Sequence, residues 1–135
     1  IRDSYLPIVD HIGLVATDNP RQDTRAALEE VSRRLKILTQ TLKIPLIALS
    51  QLNRSVETRN SNEPNLSDLR ETGAIEQDAN VVGFLWRPSG DPDDSQLNLS
   101  IKKNRDGETG MLPFYFKKDL QKIAEVSGHA EAVHE

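Results

Sequence analysis

Residues 43–80 read KIPLIALSQLNRSVETRNSNEPNLSDLRETGAIEQDAN, and they set the architecture of the chain. The stretch begins with a short apolar run, Ile44 to Leu49, whose branched side chains indicate a strand buried on both faces. Polar residues then continue without apolar periodicity until Gly73, whereas a connection inside a compact domain usually takes about 4–6 residues. Arginines recur through this loop at Arg54, Arg59 and Arg70. We therefore predict a functional loop at the carboxyl end of a buried strand, the edge where open α/β sheets bind ligands.

The composition is that of an ordinary soluble protein of 135 residues, 36% hydrophobic and 28% charged, which is long enough for one modest domain. No run approaches the roughly 18 apolar residues of a membrane span, so a cytoplasmic protein with no membrane contact is expected. The absence of cysteine excludes disulfides and thiolate metal sites, and the three histidines lack metal-ligand spacing. A net charge of −4 means that any contact with DNA must be local.

The segments before the central loop predict one strand and one helix. Tyr5 to Val15 is an apolar run in which Asp10 falls where a buried strand would end, either as a loop cap or as a functional carboxylate. Asn19 or Asp23 can cap the helix that follows. One helical stripe holds Leu28, Val31, Leu35, Leu38 and Leu42. The opposite side carries i,i+4 pairs of Glu29 with Arg33 and of Glu30 with Arg34.

The segments after the central loop predict a short helix and a run of strands. Gly73 to Asn80 favours the helix, with Glu76 and Asp78 as structural partners or caps. Strands are indicated at Val81–Trp86 (buried), Gln96–Lys102 (alternating), Met111–Phe116 and Leu120–Val126 (an edge). Asp106-Gly107 marks a hairpin, and Pro113 suggests an edge position for the strand after it.

Three blocks together resemble the central part of DnaB-type replicative DNA helicases: LIALSQLNRSVETR at 46–59, LSDLRETGAIEQDANVVGFLWR at 66–87, and IKKNRDGETG at 101–110. The resemblance implies an α/β fold, a partial RecA-like P-loop NTPase core with a mostly parallel central sheet, a flanking helix and antiparallel edge strands. Residues 1–126 would form the carboxyl-terminal half of a motor domain, and residues 127–135 a flexible tail. The implied function is part of a hexameric ATP-dependent helicase that translocates on single-stranded DNA and unwinds the duplex. A RecA-type recombinase or related ATPase, or a non-catalytic DNA- or partner-binding module, are the alternatives.

Two residues would address the nucleotide by this resemblance. Asp10 matches the Walker B aspartate, which orients Mg²⁺ at the phosphates of ATP, usually indirectly. Pro7, His11 and Gly13 depart from the family pattern around it. Gln51 matches the phosphate sensor, because a glutamine amide can donate and accept at once, although a strand-end glutamine is also an ordinary loop residue.

Two further groups would act on DNA and across a subunit boundary. The resemblance assigns contact with single-stranded DNA to Arg70, Glu71 and Gly73, where the alternative is a surface ion pair and a glycine that starts a helix. Lys103 and Arg105, two apart in extended chain, would reach a nucleotide on the neighbouring subunit, with Lys102 facing away. A solvated hairpin tip is the simpler interpretation of these cations.

The phosphate cradle is missing from the sequence. No G-x-x-x-x-G-K-[ST] occurs, and none of the seven glycines precedes a lysine. The family's catalytic glutamate is absent as well. These 135 residues alone are therefore expected to be inactive, while the full-length protein would be a homo-hexamer using ATP and Mg²⁺, with a primase and a helicase loader as further partners.

Overall fold

A computed structural model describes residues 5–15, 17–18, 23–52 and 62–126, with residues 70–72 described as backbone. The expected tail at 127–135 and the arginines at 54 and 59 lie outside these ranges. The chain divides into two compact units, residues 1–54 with 66–80 and residues 55–65 with 81–135. Each unit has a small apolar centre: Ile12, Val31 and Leu69 in the first, and Val82, Phe84 and Leu97 in the second.

The first unit contains a parallel pair of short strands, β1 (Ile8–Val9) and β2 (Ile47–Ala48). Pro7, which cannot donate to a ladder, lies just before β1 and uses its carbonyl to accept the backbone N–H of Ile47 at 3.0 Å. Its departure from the family pattern therefore does not interrupt the pairing. The strand predicted to end at Asp10 is confirmed at Val9, one residue earlier.

β2 is shorter than the predicted strand at Ile44–Leu49. The N–H of Ile44 bonds instead to the carbonyl of Thr39 at 3.3 Å, which closes the preceding helix. Pro45 has no N–H to offer, so regular pairing begins only at Ile47. The expectation of burial on both faces was also wrong, because Ile47 is 43% exposed. Branched residues favour a strand, but they do not determine how many neighbours cover it, and this sheet has two strands in the described ranges.

The predicted helix is confirmed as α1 (Thr24–Leu42), which begins after Asp23 at the N-cap position. Asp23 makes no side-chain capping bond, and Asn19, the other candidate, lies outside the described residues. Val31 is buried at the middle of the apolar stripe, whereas Leu42 at its end is half exposed. The stripe thus predicted the face of α1 that packs against the rest of the unit, but only the middle of that face is buried.

One of the two predicted ion pairs on α1 forms. Arg34 Nη2 lies 2.6 Å from Glu30 Oε1, as expected for an i,i+4 pair. Glu29 pairs with Arg25 at 3.1 Å, on the turn before it, and not with Arg33. Both choices are equally spaced along a helix, so the sequence alone did not distinguish them.

The carboxyl part of the central loop is packed. Residues Leu66–Thr72 form a 3₁₀ segment, followed by the predicted short helix, α2 (Gly73–Asp78). Asp68 and Leu69 are buried, and so is Pro64 just before the segment. The lack of apolar periodicity had predicted a functional loop as far as Gly73, and it gave no sign that this part of the loop is packed.

The second unit is a four-stranded antiparallel sheet in chain order: β3 (Val81–Trp86), β4 (Gln96–Asn104), β5 (Gly110–Lys117) and β6 (Lys122–Glu125). β3 alternates, with Val82 and Phe84 buried and Leu85 exposed, so it is half-buried and not fully buried as predicted. β6 is an edge strand, as expected.

β5 lies between β4 and β6, which contradicts the edge position suggested by Pro113. The first residue of β5 that pairs with β6 is Phe114, which lies opposite Glu125 and directly follows Pro113 in the chain. Val126 still donates its N–H to the carbonyl of Pro113 at 3.5 Å, but Pro113 has no N–H to return. The proline therefore marks the end of a ladder inside the sheet.

A β-bulge interrupts the pairing of β3 with β4. Val82 pairs with Lys103 and Phe84 with Ser100, and the register shifts between them, which leaves Lys102 as the extra residue. Directly paired residues share a face of the sheet, so Lys103 and Ser100 lie on one face although they are three positions apart. Simple alternation, on which the sequence prediction rested, fails at this point.

Candidate functional site

The carboxyl ends of β1 and β2 meet at one edge of the first unit. Leu49 donates its N–H to the carbonyl of Val9 at 2.9 Å, and Ile12 donates to the carbonyl of Leu49 at 3.0 Å. The two segments of the chain thus stay in parallel register beyond β1 and β2. Asp10 and Gln51 both follow these strand ends, so both leave the sheet at the same edge.

Asp10 presents its carboxylate to solvent, with no ion pair or hydrogen bond among residues 5–15, 17–18, 23–52 and 62–126. The next peptide bond, to His11, is cis. Nδ1 of His11 accepts the N–H of Gly13 at 3.2 Å and caps a 3₁₀ turn, Ile12–Leu14. A Cβ on Gly13 would lie 3.0 Å from the imidazole ring, so the two departures from the family pattern fit one another.

Gln51 is exposed, and its side chain makes no hydrogen bond within the described part of the chain. The backbone carbonyl of Gln51 accepts a long hydrogen bond of 3.4 Å from Ser50 Oγ. The amide therefore has its donor and acceptor groups available at the edge that Asp10 also occupies.

Arg70 and Glu71 lie in the 3₁₀ segment that leads into α2, and their side chains are outside the described atoms. Gly73, the first residue of α2, is exposed. Apart from its two chain neighbours, a Cβ built on Gly73 meets no atom of the described residues within 4 Å. Packing against the described residues thus supplies no reason for a glycine at this position.

α2 is fastened to α1 by polar contacts. Oδ2 of Asp78, a residue only 8% exposed, accepts a hydrogen bond of 3.1 Å from Ser32 Oγ, and Oδ1 lies 3.3 Å from Arg33 Nη1. Lys36 Nζ donates to Asn80 Oδ1 at 2.8 Å. Asp78 is therefore a structural partner, as predicted, and it holds the helix that follows the Arg70 segment.

Lys103 and Arg105 lie at the β4–β5 hairpin, in the second unit. Lys103 is half-buried near the end of β4, and Arg105 is exposed in the connection. Asn104 Nδ2 donates to the carbonyl of Glu108 at 3.0 Å and braces that connection. Among the residues that the structure describes, the guanidinium of Arg105 has no ion pair.

Lys102 does not face away from Lys103, which corrects the prediction. Its ammonium binds the carboxylate of Glu63, and the same carboxylate accepts a hydrogen bond of 3.3 Å from Ser100 Oγ. Because the bulge places Lys103 on the face of Ser100, both lysines share that face. The hydrogen bond from Lys102 holds the pKa of Glu63 below its ordinary value, against a smaller opposing effect of burial.

The described structure thus brings Asp10 and Gln51 to one edge and keeps Lys103 and Arg105 on one hairpin. Glu63 and Ser32 were not predicted, and no local pattern marks them, because their partners lie 39 and 46 residues away. The described residues contain no group of three His, Cys, Asp or Glu side chains able to hold a metal. None of the described helices is long and apolar enough to cross a membrane.

A parallel strand pair joined through a helical segment to an antiparallel sheet, with a carboxylate and a glutamine at one strand edge, is typical of a partial RecA-like α/β core. Similarity to a known protein family identifies the chain more narrowly. Residues 3–125 match the family described as DnaB-like helicase C terminal domain, and the chain belongs to that family.

Relatives and solved structures agree with this assignment. The chain is 38% identical over 121 residues to "Replicative DNA helicase DnaB" of Geobacillus stearothermophilus, covering 86% of this chain and 27% of that protein. It is 42% identical over 108 residues to the protein of the same name from Mycobacterium leprae (strain TN), covering 77% and 18%. The chain thus spans about a quarter or less of these curated relatives.

Two solved structures superpose with a TM-score of 0.84 at 31% identity and cover 92% of this chain. One is described as an ATPase domain, of which 45% is covered, and the other as "The Structure Of A DnaB-Like Replicative Helicase And Its Interactions With Primase", of which 30% is covered. The predicted RecA-like fold class is confirmed, with its described parallel pairing limited to β1 and β2.

Proposed function

We propose that this chain is one segment of an ATP-driven ring motor, a replicative helicase that moves on single-stranded DNA and separates the duplex. The observation that carries the proposal is the parallel register of β1 and β2, because it places Asp10 and Gln51 at the same end of the sheet, the carboxyl end of both strands. Membership of the DnaB-like helicase family supports it. The phosphate cradle would lie in a part of the full-length protein outside these 135 residues.

Asp10 fits a magnesium–nucleotide site as one of several contributors. Mg²⁺ in such sites keeps several waters and takes one or two carboxylates together with substrate phosphates, so it does not need a cage of protein ligands. In the bound state the metal would neutralise phosphate charge. Asp10 would orient it, directly or through a water.

Gln51 would report the state of the nucleotide to the central loop. Its amide can donate to a phosphate oxygen and accept from a water. The loop that begins after Gln51 leads to Arg70, Glu71 and Gly73, which we assign to single-stranded DNA. A guanidinium suits the phosphate backbone, and a glycine without internal packing allows close approach of the main chain.

Lys103 and Arg105 would complete the site of a neighbouring subunit in a homo-hexamer. An arginine in this role stabilises charge that develops on the transferred phosphoryl group. The exposure of Arg105 leaves its guanidinium accessible to another chain. A primase is the partner named for one structural relative, and we propose a primase and a loader as partners of the full-length protein.

Strand displacement by the full-length protein tests the proposal. Wild type should release a labelled strand from a forked duplex only with ATP and Mg²⁺, and Asp10→Ala should abolish this release. Asp23→Ala is the matched control, because Asp23 is exposed and makes no side-chain capping bond. DNA binding without ATP hydrolysis by the wild type would favour a non-catalytic binding module.

A further inference from the structure

The central loop contacts the antiparallel sheet at three successive residues, Asn62 to Pro64. Asn62 Nδ2 donates to the carbonyl of Pro88 at 3.1 Å. Glu63 binds Lys102, and Pro64 is fully buried. These residues belong to the same compact unit as β3 to β6, so this segment of the loop is part of the sheet's own packing.

Glu63 completes a chain of polar contacts across two strands. Trp86 Nε1 donates to Ser100 Oγ at 2.9 Å, and Ser100 Oγ donates to Glu63 Oε1 at 3.3 Å. Ser100 is only 1% exposed, so its hydroxyl depends on these two partners in place of water. The carboxylate therefore sits in a defined position, set by a buried hydroxyl on one side and by the Lys102 ammonium on the other.

The contact falls on the bulge that sets the direction of the neighbouring cations. Bulges re-aim side chains and often lie near functional sites. Lys102 is the extra residue of this bulge, directly before Lys103 and three positions before Arg105. The Glu63–Lys102 pair therefore lies where the register of β4 against β3 changes, one residue before Lys103.

We propose that Glu63 is a positioning residue, an inference that rests on the function proposed above. It couples the binding of single-stranded DNA at the central loop to the orientation of the Lys103 and Arg105 side chains. Seven residues separate Glu63 from Arg70 in the sequence. Tension or ordering that DNA imposes at Arg70 acts along the loop on Glu63, and the Glu63–Lys102 pair transmits it to β4. In this role Glu63 acts through Lys102 and not by contact with DNA or nucleotide.

The test measures the ratio of ATPase rates with and without single-stranded DNA in the full-length protein. Glu63→Ala and Lys102→Met should each lower this ratio toward about 1, the value expected when DNA and hydrolysis are not coupled. Glu63→Gln keeps the acceptor for Ser100 and removes the charge, so it serves if the alanine variant fails to fold. The exchange Glu63→Lys with Lys102→Glu should recover part of the ratio. Glu125→Gln, an exposed carboxylate on β6, is the control.

The outcomes separate this inference from the proposed function. A wild type that displaces a strand with ATP but whose ATPase is not stimulated by DNA overturns the coupling role alone, and a wild type that neither hydrolyses ATP nor displaces a strand overturns both. A stimulated wild type whose ratio survives Glu63→Gln and Lys102→Met overturns the coupling role alone, whether or not the rates themselves fall in parallel. A reduced ratio with single-stranded DNA affinity and KM for ATP close to wild type, partly restored by the charge exchange, supports it.

Discussion

Ser32 on α1 donates a hydrogen bond of 3.1 Å to the carboxylate of Asp78 at the end of α2, and both residues are buried. The contact joins helices through residues that lie 46 positions apart in the chain. The Ser32 hydroxyl depends on this bond, because a buried polar group without a partner is costly, whereas Asp78 also pairs with Arg33. The position of α2, and with it the segment that enters α2, therefore depends on this pair.

Removing one member of the pair should destabilise the first unit. Asp78→Ala strands the Ser32 hydroxyl and should lower the free energy of unfolding by about 1–3 kcal/mol. Ser32→Ala should also destabilise, and the double variant should lose less than the sum, since neighbours that share a bond are not additive. Urea unfolding of the four proteins measures this cycle. Additive losses would show that the two side chains do not interact.

Helical periodicity and the ends of apolar runs were enough to predict the position of α1 and of one strand end. The stripe through Val31 located α1, and a lone carboxylate after an apolar run located Asp10 at a strand end. Both are local patterns within a few residues. The Ser32–Asp78 and Glu63–Lys102 contacts could not be predicted, because periodicity says which face packs but not which distant side chain meets it.

The face of Lys102 was predicted wrongly for a related reason. Strict alternation assumes one residue per position, and the bulge inserts an extra one opposite β3. Nothing in IKKNRDGETG marks where that extra residue falls. The Lys103–Arg105 spacing could still be identified, since it depends only on residues close in sequence.

The Glu63–Lys102 pair should make stability depend on acid pH. Lys102 holds the pKa of Glu63 below its ordinary value of 4.5, so the stabilisation is complete above that value and disappears as pH falls through the lower folded pKa. The stability difference between wild type and Glu63→Gln should thus shrink below about pH 4.5. Urea midpoints between pH 7 and pH 3 measure it. A difference that grows on acidification would contradict the assigned direction.

Gly73→Ala should separate folding from DNA binding. The added Cβ meets no atom of the described residues beyond its chain neighbours, and alanine favours a helix over glycine by roughly 0.5–1 kcal/mol, so stability should hold or rise. Affinity for single-stranded DNA in the full-length protein should fall, because the Cβ obstructs close approach to the main chain. Gly110→Ala is the matched control, since a Cβ there also meets nothing. Equal DNA affinity in both variants would leave Gly73 without a binding role.

Arg70→Ala should weaken binding of single-stranded DNA and leave nucleotide affinity nearly intact. One phosphate contact fewer should reduce the slope of log affinity against log salt by roughly 0.7. Titrations of labelled oligonucleotide at several salt concentrations measure affinity and slope together. Lys122→Ala, which removes an exposed cation from β6, should change neither. Wild-type affinity and slope in Arg70→Ala would make Arg70 an ordinary surface residue.

Arg105 is the residue that we propose completes a catalytic site on a neighbouring subunit. Arg105→Ala should spare folding, ring assembly and most nucleotide binding, because the guanidinium is exposed and makes no ion pair in the described structure. Hydrolysis should fall by about 10³–10⁵, the usual contribution of an arginine finger. An exposed charge with a purely structural role would not have so large an effect.

Mixed rings test this claim most directly. Full-length Arg105→Ala subunits are combined, at varied ratios, with subunits whose phosphate-cradle lysine has been replaced, and ATPase is measured in rings shown to contain both. Each parent ring should be nearly inactive. Mixing should restore hydrolysis wherever an intact Arg105 meets an intact cradle on the adjacent subunit. Mixed rings that stay as inactive as their parents at every ratio would show that Arg105 does not act across the interface.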